Sequence, residues 1–232
     1  MIFRFKNKNN LERAINFIII LSLFIAFPIS IWEGNWINLF SCFLTVLFLI
    51  VIQFIEGKYD FKIPGELRFL LLFFIYLGIF LGGFKNLYVR FWWFDYFLHL
   101  TSGFGLGLLG FLIPYSLQKT KKIEINPFFI AVFGFCFAIS LGVLWEIFEF
   151  SMDHFFNMNM QSYKNLEMNL ELADGYFNAR LGLIDTMKDL MLDTIGAFSV
   201  SLIGYLYLKN GEFYIFDKFI KKIEVLNPNY FK

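Results

Sequence analysis

Long apolar segments alternate with short polar connections along this chain. A helix needs about 20 apolar residues to cross roughly 30 Å of hydrocarbon, and in lipid its backbone groups must be hydrogen-bonded within the segment. The pattern therefore predicts an all-α, polytopic membrane protein with a bundle of about six transmembrane helices. We expect residues 1–232 to form a single integral membrane domain. The predicted helices span residues 14–31, 36–55, 67–84, 91–117, 127–156 and 182–208.

Composition supports a membrane location. Hydrophobic residues make up 58% of the chain and charged residues only 17%, whereas soluble domains average about 45–50% and 25%. A chain of 232 residues cannot hide that excess in one core, so lipid must solvate it. The sequence has no basic run interleaved with aromatic residues, and we therefore expect no nucleic-acid partner. Membrane lipid is the expected surrounding partner, and the oligomeric state is left open.

Lys and Arg residues are distributed unevenly among the predicted connections. The N-terminal tail, the second and fourth connections and the C-terminal tail carry four, three, three and five of them. Positive residues favour the cytoplasmic side, so this distribution predicts a multi-pass protein of the cytoplasmic (inner) membrane with both termini in the cytoplasm. The opposite connections carry only Lys85, Arg90, Lys164 and Arg180.

Ionisable residues interrupt the apolar pattern in three of the predicted helices. At about 100° per residue, each set forms a stripe on one helix face. All three stripes fall in the predicted outer half of the membrane, which scattered polar residues would not be expected to do. The stripes are Asp95 and His99 in the fourth helix, Glu146, Glu149 and Asp153 in the fifth, and Asp185, Asp189 and Asp193 in the sixth.

So many acids in an apolar segment require compensation. Insertion of one carboxylate at mid-bilayer costs about 2.5–3.5 kcal/mol, and His99 and Lys188 cannot balance seven carboxylates. Bound cations, retained protons or a water-filled cavity would each solve the problem. A divalent metal ion is the most economical solution, and these ligand types suit Mg, Mn, Zn or Fe. The alternative is a structural polar network that orients the three helices.

Several neighbouring features have a weaker connection to this cluster. Asp153 lies near the predicted headgroup region, and Asp193 lies deepest on its helix, where it could pair with Lys188 or cap a network. His154 points away from the stripe, which favours an interfacial position. Gly103 and the glycines at 107 and 110 would let a neighbouring helix pack closely and close the inner side of the site. The polar connection 157–181 is either a surface loop or a lid.

The three stripes together resemble the YjdF-like family of bacterial inner-membrane proteins. The similarity covers roughly the last 120 residues, with the first half matching only as generic hydrophobic helices. It implies a small multi-helix membrane protein and carries no activity with it. The family has a further acid where this chain has Gly182, and its pattern includes neither Asp153 nor Asp193. The resemblance selects the residues Asp95, His99, Glu146, Glu149, Asp185 and Asp189.

We interpret these six residues as candidate metal ligands, with His99 and Glu149 also as candidate catalytic residues. The leading hypothesis is a metal-dependent enzyme that hydrolyses or transfers a lipid or lipid-linked envelope substrate at the outer leaflet, where a headgroup could reach the ion. A cation- or proton-coupled transporter is the second hypothesis, because stacked acids also line ion pathways. A non-catalytic membrane assembly partner is the third. The sequence does not decide whether the protein is an enzyme.

Overall fold

The computed structural model describes residues 10–81, 91–162, 179–211 and 213–231, and within these ranges it contains helices and no strand. The first helices are α1 (Asn10–Trp32), α2 (Trp36–Tyr59) and α3 (Gly65–Ile75), and α3 continues into a π-helical segment (Tyr76–Leu81). The long helices α4 (Phe94–Lys121), α5 (Pro127–Phe156) and α6 (Ala179–Asn210) follow. Two short helices, α7 (Tyr214–Leu226) and α8 (Pro228–Phe231), come last. The predicted all-α fold class is confirmed.

Among the described residues, four helices are long and apolar enough to cross a membrane: α2, α4, α5 and residues Arg180–Asn210 of α6. The apolar part of α1, Asn16–Trp32, is shorter. The predicted bounds of the fifth segment agree with α5, and the other segments agree to within a few residues where they are described. The count of six spans and the orientation of the termini stay predictions. Residues 1–9, 82–90 and 163–178, which include part of the orientation signal and most of the proposed lid, lie outside the described residues.

Local sequence explains where several helices begin and end. The side chain of Asn35 accepts a hydrogen bond from the backbone N–H of Asn38 and caps α2. At α5, Asn126 caps the helix in the same way and Pro127 occupies its first turn, where the missing N–H costs nothing. Helices α4 and α5 both end at a residue in the left-handed conformation, Lys122 and Asn157. The short connection 122–126 makes α4 and α5 antiparallel neighbours.

The chain divides into two compact units. The first contains α1, α2, α3, the π-helical segment and residues 219–228. Its core is apolar and includes Ile19, Cys42 and Leu72. One ion pair, between Arg68 and Glu56, lies within it. The amide of Asn227 closes the loop before α3, because it accepts from the Lys62 N–H at 2.5 Å and donates to the Lys62 carbonyl oxygen at 2.9 Å.

The second unit contains α4, α5 and α6, packed against one another. Small residues on facing sides of these helices allow the backbones to touch. A Cβ added at Gly103 would collide with the backbone of Asp193, and one added at Gly196 would collide with the carbonyl oxygen of Leu100. At Gly134, on α5, a Cβ would lie 2.9 Å from the Gly107 carbonyl oxygen on α4. These contacts are the close packing that the glycine spacing predicts.

The glycine contacts between α4 and α6 predict a clear pair of stability effects. Gly103→Ala should lower the free energy of unfolding by about 1–3 kcal/mol, since a methyl group must push the two backbones apart. Gly105→Ala, two residues away on α4, is the control, because an added Cβ there meets nothing within 4 Å. It should be neutral or slightly stabilising. Unfolding by sodium dodecyl sulfate in mixed micelles, followed by tryptophan fluorescence, would measure both, and equal losses would contradict the packing.

Candidate metal site

The stripes on α4 and α6 meet within the second unit. One carboxylate oxygen each from Asp95 and Asp189 and one ring nitrogen of His99 lie within 4.8 Å of one another. The Nε2 atom of His99 is 3.8 Å from Asp95 Oδ1 and 3.9 Å from Asp189 Oδ2. These distances are longer than a hydrogen bond. They are close to the separation of about 3–4 Å between neighbouring ligands that each lie about 2.0–2.2 Å from one ion.

The opposite side of the His99 ring faces Asp193. Its Nδ1 atom is 3.3 Å from Asp193 Oδ2, and the other carboxylate oxygen, Oδ1, is 2.8 Å from the Ser102 hydroxyl. Lys188 was one predicted partner of Asp193, but its ammonium donates to the hydroxyl of Tyr96 at 2.9 Å. Asp193 is therefore joined to His99, a connection that helical spacing within α6 alone does not reveal.

Several acidic oxygens in this region are buried without a hydrogen-bond partner among the described residues. Asp189 is 1% exposed and makes no hydrogen bond through either carboxylate oxygen to the described residues. Glu146 is 4% exposed, and its carboxylate interacts with the Thr186 hydroxyl without normal hydrogen-bond geometry. One oxygen of Asp185, Oδ2, also makes no hydrogen bond to the described residues. Buried carboxylates normally carry hydrogen bonds or counter-charges, because an unpaired charge in an apolar interior is costly. These oxygens therefore lack the compensation that their burial requires.

The remaining predicted site residues surround the triad Asp95, His99 and Asp189 without belonging to it. Glu149, like Glu146, is buried on α5, and its charge interacts with those of Glu146 and Asp95. The charge of Asp185 interacts with those of Asp95 and Glu146. The six predicted residues thus form one electrostatic cluster, and three of them lie close enough together to share a single ion.

Asp153 and His154 have other positions. The carboxylate of Asp153 accepts hydrogen bonds from the backbone N–H groups of Met160 and Gln161, at 2.6 and 2.9 Å, and so holds the chain as it leaves α5. The amide of Gln161 then donates to the hydroxyl of Thr186 at the start of α6. His154 is exposed and stacks on Phe150. These contacts give Asp153 a structural role in the described residues.

The three residues of the triad differ in their exposure. The Asp95 side chain is 24% exposed, in contrast to the nearly complete burial of His99 and Asp189. Exposed aromatic rings lie just before α4, at Trp92 and Trp93, and in its first turn, at Phe97. The exposed Lys188 lies beside Tyr96, with its ammonium 5.4 Å from the centre of that ring. An ammonium group, a phenol and exposed apolar rings therefore occur together near Asp95.

Comparison with known families places these residues in a wider group. Residues 12–210 match the family described as predicted membrane protein DUF2238. The chain belongs to this family. The matched range includes every residue of the three stripes, and the match is consistent with the similarity to the YjdF-like proteins. The membrane character expected from the sequence is therefore shared by the family to which the chain belongs.

A relative in Thermotoga maritima, an uncharacterised protein, is 27% identical over 153 residues. That alignment covers 66% of this chain and 68% of the relative. No solved structure matches the chain. The chemistry of the site must therefore be argued from its own residues.

Acids without and with hydrogen-bond partners should respond oppositely when each is replaced by its amide. The free energy of unfolding is compared in the presence of a chelator, so that no metal ion is bound. Glu146→Gln removes a buried charge and should leave the free energy of unfolding unchanged or raise it. Asp153→Asn loses one of two carboxylate acceptors and leaves a backbone N–H without a partner, which should cost about 1–3 kcal/mol. The same detergent titration measures both, and a larger loss for Glu146→Gln than for Asp153→Asn would show that Glu146 is already compensated.

Proposed function

We propose that Asp95, His99 and Asp189 bind a divalent metal ion and that the protein is a metal-dependent hydrolase or transferase of a lipid or lipid-linked substrate. The carrying observation is Asp189, which is almost completely buried, has no hydrogen-bond partner for either oxygen among the described residues, and faces the Nε2 atom of His99. A cation between these atoms would supply the missing charge for Asp189 and Asp95 together.

The ligand chemistry narrows the choice of ion. Two carboxylates and one imidazole combine oxygen ligands suited to Mg²⁺ and Mn²⁺ with a nitrogen ligand suited to Zn²⁺ and Fe²⁺. No cysteine lies within the group, so the softer ions have no thiolate ligand there. Mn²⁺, Zn²⁺ and Fe²⁺ fit the mixed set best. Glu146 and Asp185 would add negative charge, and their unpartnered oxygens could accept from water molecules on the ion.

His99 and Glu149 have different proposed roles at the site. Both ring nitrogens of His99 are engaged in this arrangement, with Nδ1 facing Asp193 and Nε2 facing the triad. His99 is then a ligand, and Glu149 is the remaining buried carboxylate able to accept a proton from an attacking water. The bound ion would polarise a phosphoryl or acyl oxygen and lower the pKa of the attacking water.

The side chains near the partly exposed Asp95 indicate the class of substrate. A ligand that reaches Asp95 passes the ammonium of Lys188 and the exposed rings of Trp92 and Trp93. This combination suits an amphipathic molecule with an anionic headgroup and an apolar chain. The predicted position near the outer membrane surface would let such a headgroup reach the ion while its chain stays in lipid.

The transporter alternative requires polar groups that continue along the helices beyond Asp193. In the second unit the next contacts between α4 and α6 are close and apolar, at Gly107 with Ala197 and Val200 and at Gly204 with Phe111. Ala197, Val200 and Phe111 are completely buried. The buried Ser201 hydroxyl is a polar group further along α6, but the apolar contacts around it interrupt a polar path, which favours an enzyme over a transporter.

The metal proposal predicts stoichiometric binding. After chelator treatment and equilibration with Zn²⁺ or Mn²⁺, the purified protein should retain about one ion per chain, measured by elemental mass spectrometry. Asp189→Asn and His99→Ala should weaken retention at least tenfold, since each removes a ligand. Asp153→Asn should retain the ion and is the charge-matched control. If saturating Zn²⁺ and Mn²⁺ both leave the wild type empty, retained protons or a structural network would replace the metal site.

The catalytic proposal predicts that chemistry and metal binding can be separated. In vesicles that contain phospholipids and polyprenyl-phosphate-linked lipids, the wild type should release a headgroup product in the presence of the bound ion, detected by lipid mass spectrometry. Glu149→Gln should lower turnover by about 10²–10⁴-fold while metal content stays near the wild-type value. Uptake of the cation into sealed vesicles without any lipid product would support the transporter instead.

A further inference from the structure

Asp193 lies where α4, α5 and α6 meet and is 3% exposed. It belongs neither to the triad nor to the residues that the family resemblance selects. We propose that Asp193 is a positioning residue, which holds His99 so that Nε2 presents its lone pair to the metal ion. This inference rests on the proposed metal site and assigns a role to a carboxylate that the site would otherwise not need.

The contact of Asp193 bears on which nitrogen of His99 carries a proton. Asp193 Oδ2 lies 3.3 Å from His99 Nδ1, and an ionised carboxylate only accepts hydrogen bonds. Beside an ionised Asp193, the proton of a neutral ring therefore belongs on Nδ1. In the neutral ring the other nitrogen, Nε2, then has a free lone pair. That nitrogen faces Asp95 Oδ1 and Asp189 Oδ2. The tautomer that Asp193 selects is therefore the one able to bind an ion there.

The carboxylate of Asp193 is held in place by contacts from both α4 and α5. The Ser102 hydroxyl lies 2.8 Å from Asp193 Oδ1 and 2.8 Å from the His99 carbonyl oxygen, which ties the carboxylate to α4. From the other side, a Cβ added at Gly142 on α5 would lie only 2.7 Å from Asp193 Oδ2. The absence of a side chain at Gly142 gives the carboxylate its space, and the backbone of α5 closes that space behind it.

Asp193 is not placed to bind the same ion directly. Its carboxylate contacts Nδ1, whereas the triad is built around Nε2 on the far side of the imidazole ring. A carboxylate that accepts from the distal nitrogen of a metal-binding histidine orients the ring and makes it a better ligand. Loss of such a partner typically weakens metal binding 10–100-fold.

The chain suits a direct spectroscopic test because it contains only two histidines, His99 and His154. Protein labelled with ¹⁵N-histidine and carrying His154→Gln shows the ring nitrogens of His99 alone. In the Zn²⁺-loaded protein we expect a protonated Nδ1 and a metal-bound Nε2. In metal-free protein, at a pH where the ring is neutral, we expect the proton to stay on Nδ1.

Variants at Asp193 should then change affinity and tautomer together. Asp193→Asn should weaken Zn²⁺ binding 10–100-fold, and Asp193→Ala should weaken it at least as much and allow the Nε2–H tautomer. Asp153→Asn, another buried carboxylate of the second unit, is the control and should change neither. Gly142→Ala removes no ring nitrogen and no carboxylate, but it should also weaken binding because the added methyl group crowds Asp193 Oδ2. It provides the test if the Asp193 variants do not fold.

The outcomes separate this inference from the proposed function. Wild-type protein that binds Zn²⁺ through Nδ1, or an Asp193→Asn protein with wild-type affinity, would overturn the positioning role while the metal site stands. Wild-type protein that takes up no Zn²⁺ would overturn the proposed function. In that case the metal-free spectrum still decides whether Asp193 holds the Nδ1 proton: a neutral ring protonated on Nε2 contradicts the contact, and one protonated on Nδ1 supports it.

Discussion

Burial of negative charge in an apolar helix bundle is the constraint on which the rest of this structure depends. Several carboxylates lie between helices that are otherwise apolar, and that of Asp189 has no hydrogen-bond donor among the described residues. An isolated buried charge is too costly to persist, so its surroundings must supply a counter-charge or a proton. The metal ion proposed at Asp95, His99 and Asp189 is a response to this requirement.

Close helix packing makes the constraint stricter. Because Gly103 lets α4 touch the backbone of α6 at Asp193, there is little room for water between these two helices at that level. The small residues and the charged residues therefore act together. Glycine contacts bring the stripes within reach of one another, and the same contacts exclude the solvent that would otherwise screen them.

The exposure of the side chains differs across the cluster. Burial increases from Asp95 through His99 to Asp189, so a ligand that enters beside Lys188 meets the most accessible member of the triad first. Beyond the triad, Asp193 and Ser102 form a second layer that contacts the imidazole. The proposed ion would then be held by the triad and supported by this buried second layer, as in other metal sites with histidine ligands.

A good part of both fold and site could be predicted from the chain alone. Hydrophobic segment length indicated the helices, because lipid imposes a minimum span and internal hydrogen bonding. The fixed period of the α-helix also put Asp95 with His99, and Asp185 with Asp189, on common faces. Bounds agree best for α5, where Asn126 and Pro127 mark the start. The two short helices α7 and α8 follow the last long apolar segment and have too few residues for the hydropathy pattern to indicate them.

The sequence by itself determined that the membrane segments are helical and that acids follow one face of three of them, since both depend on local composition and helical period. Tertiary structure alone decided on which side of His99 each acid lies. Asp189 and Asp193 are one turn apart on the same face of α6, yet they lie on opposite sides of the His99 ring. That difference comes from the depth and rotation of α6 against α4, which the contacts at Gly103 and Gly196 establish across 90 or more residues of chain.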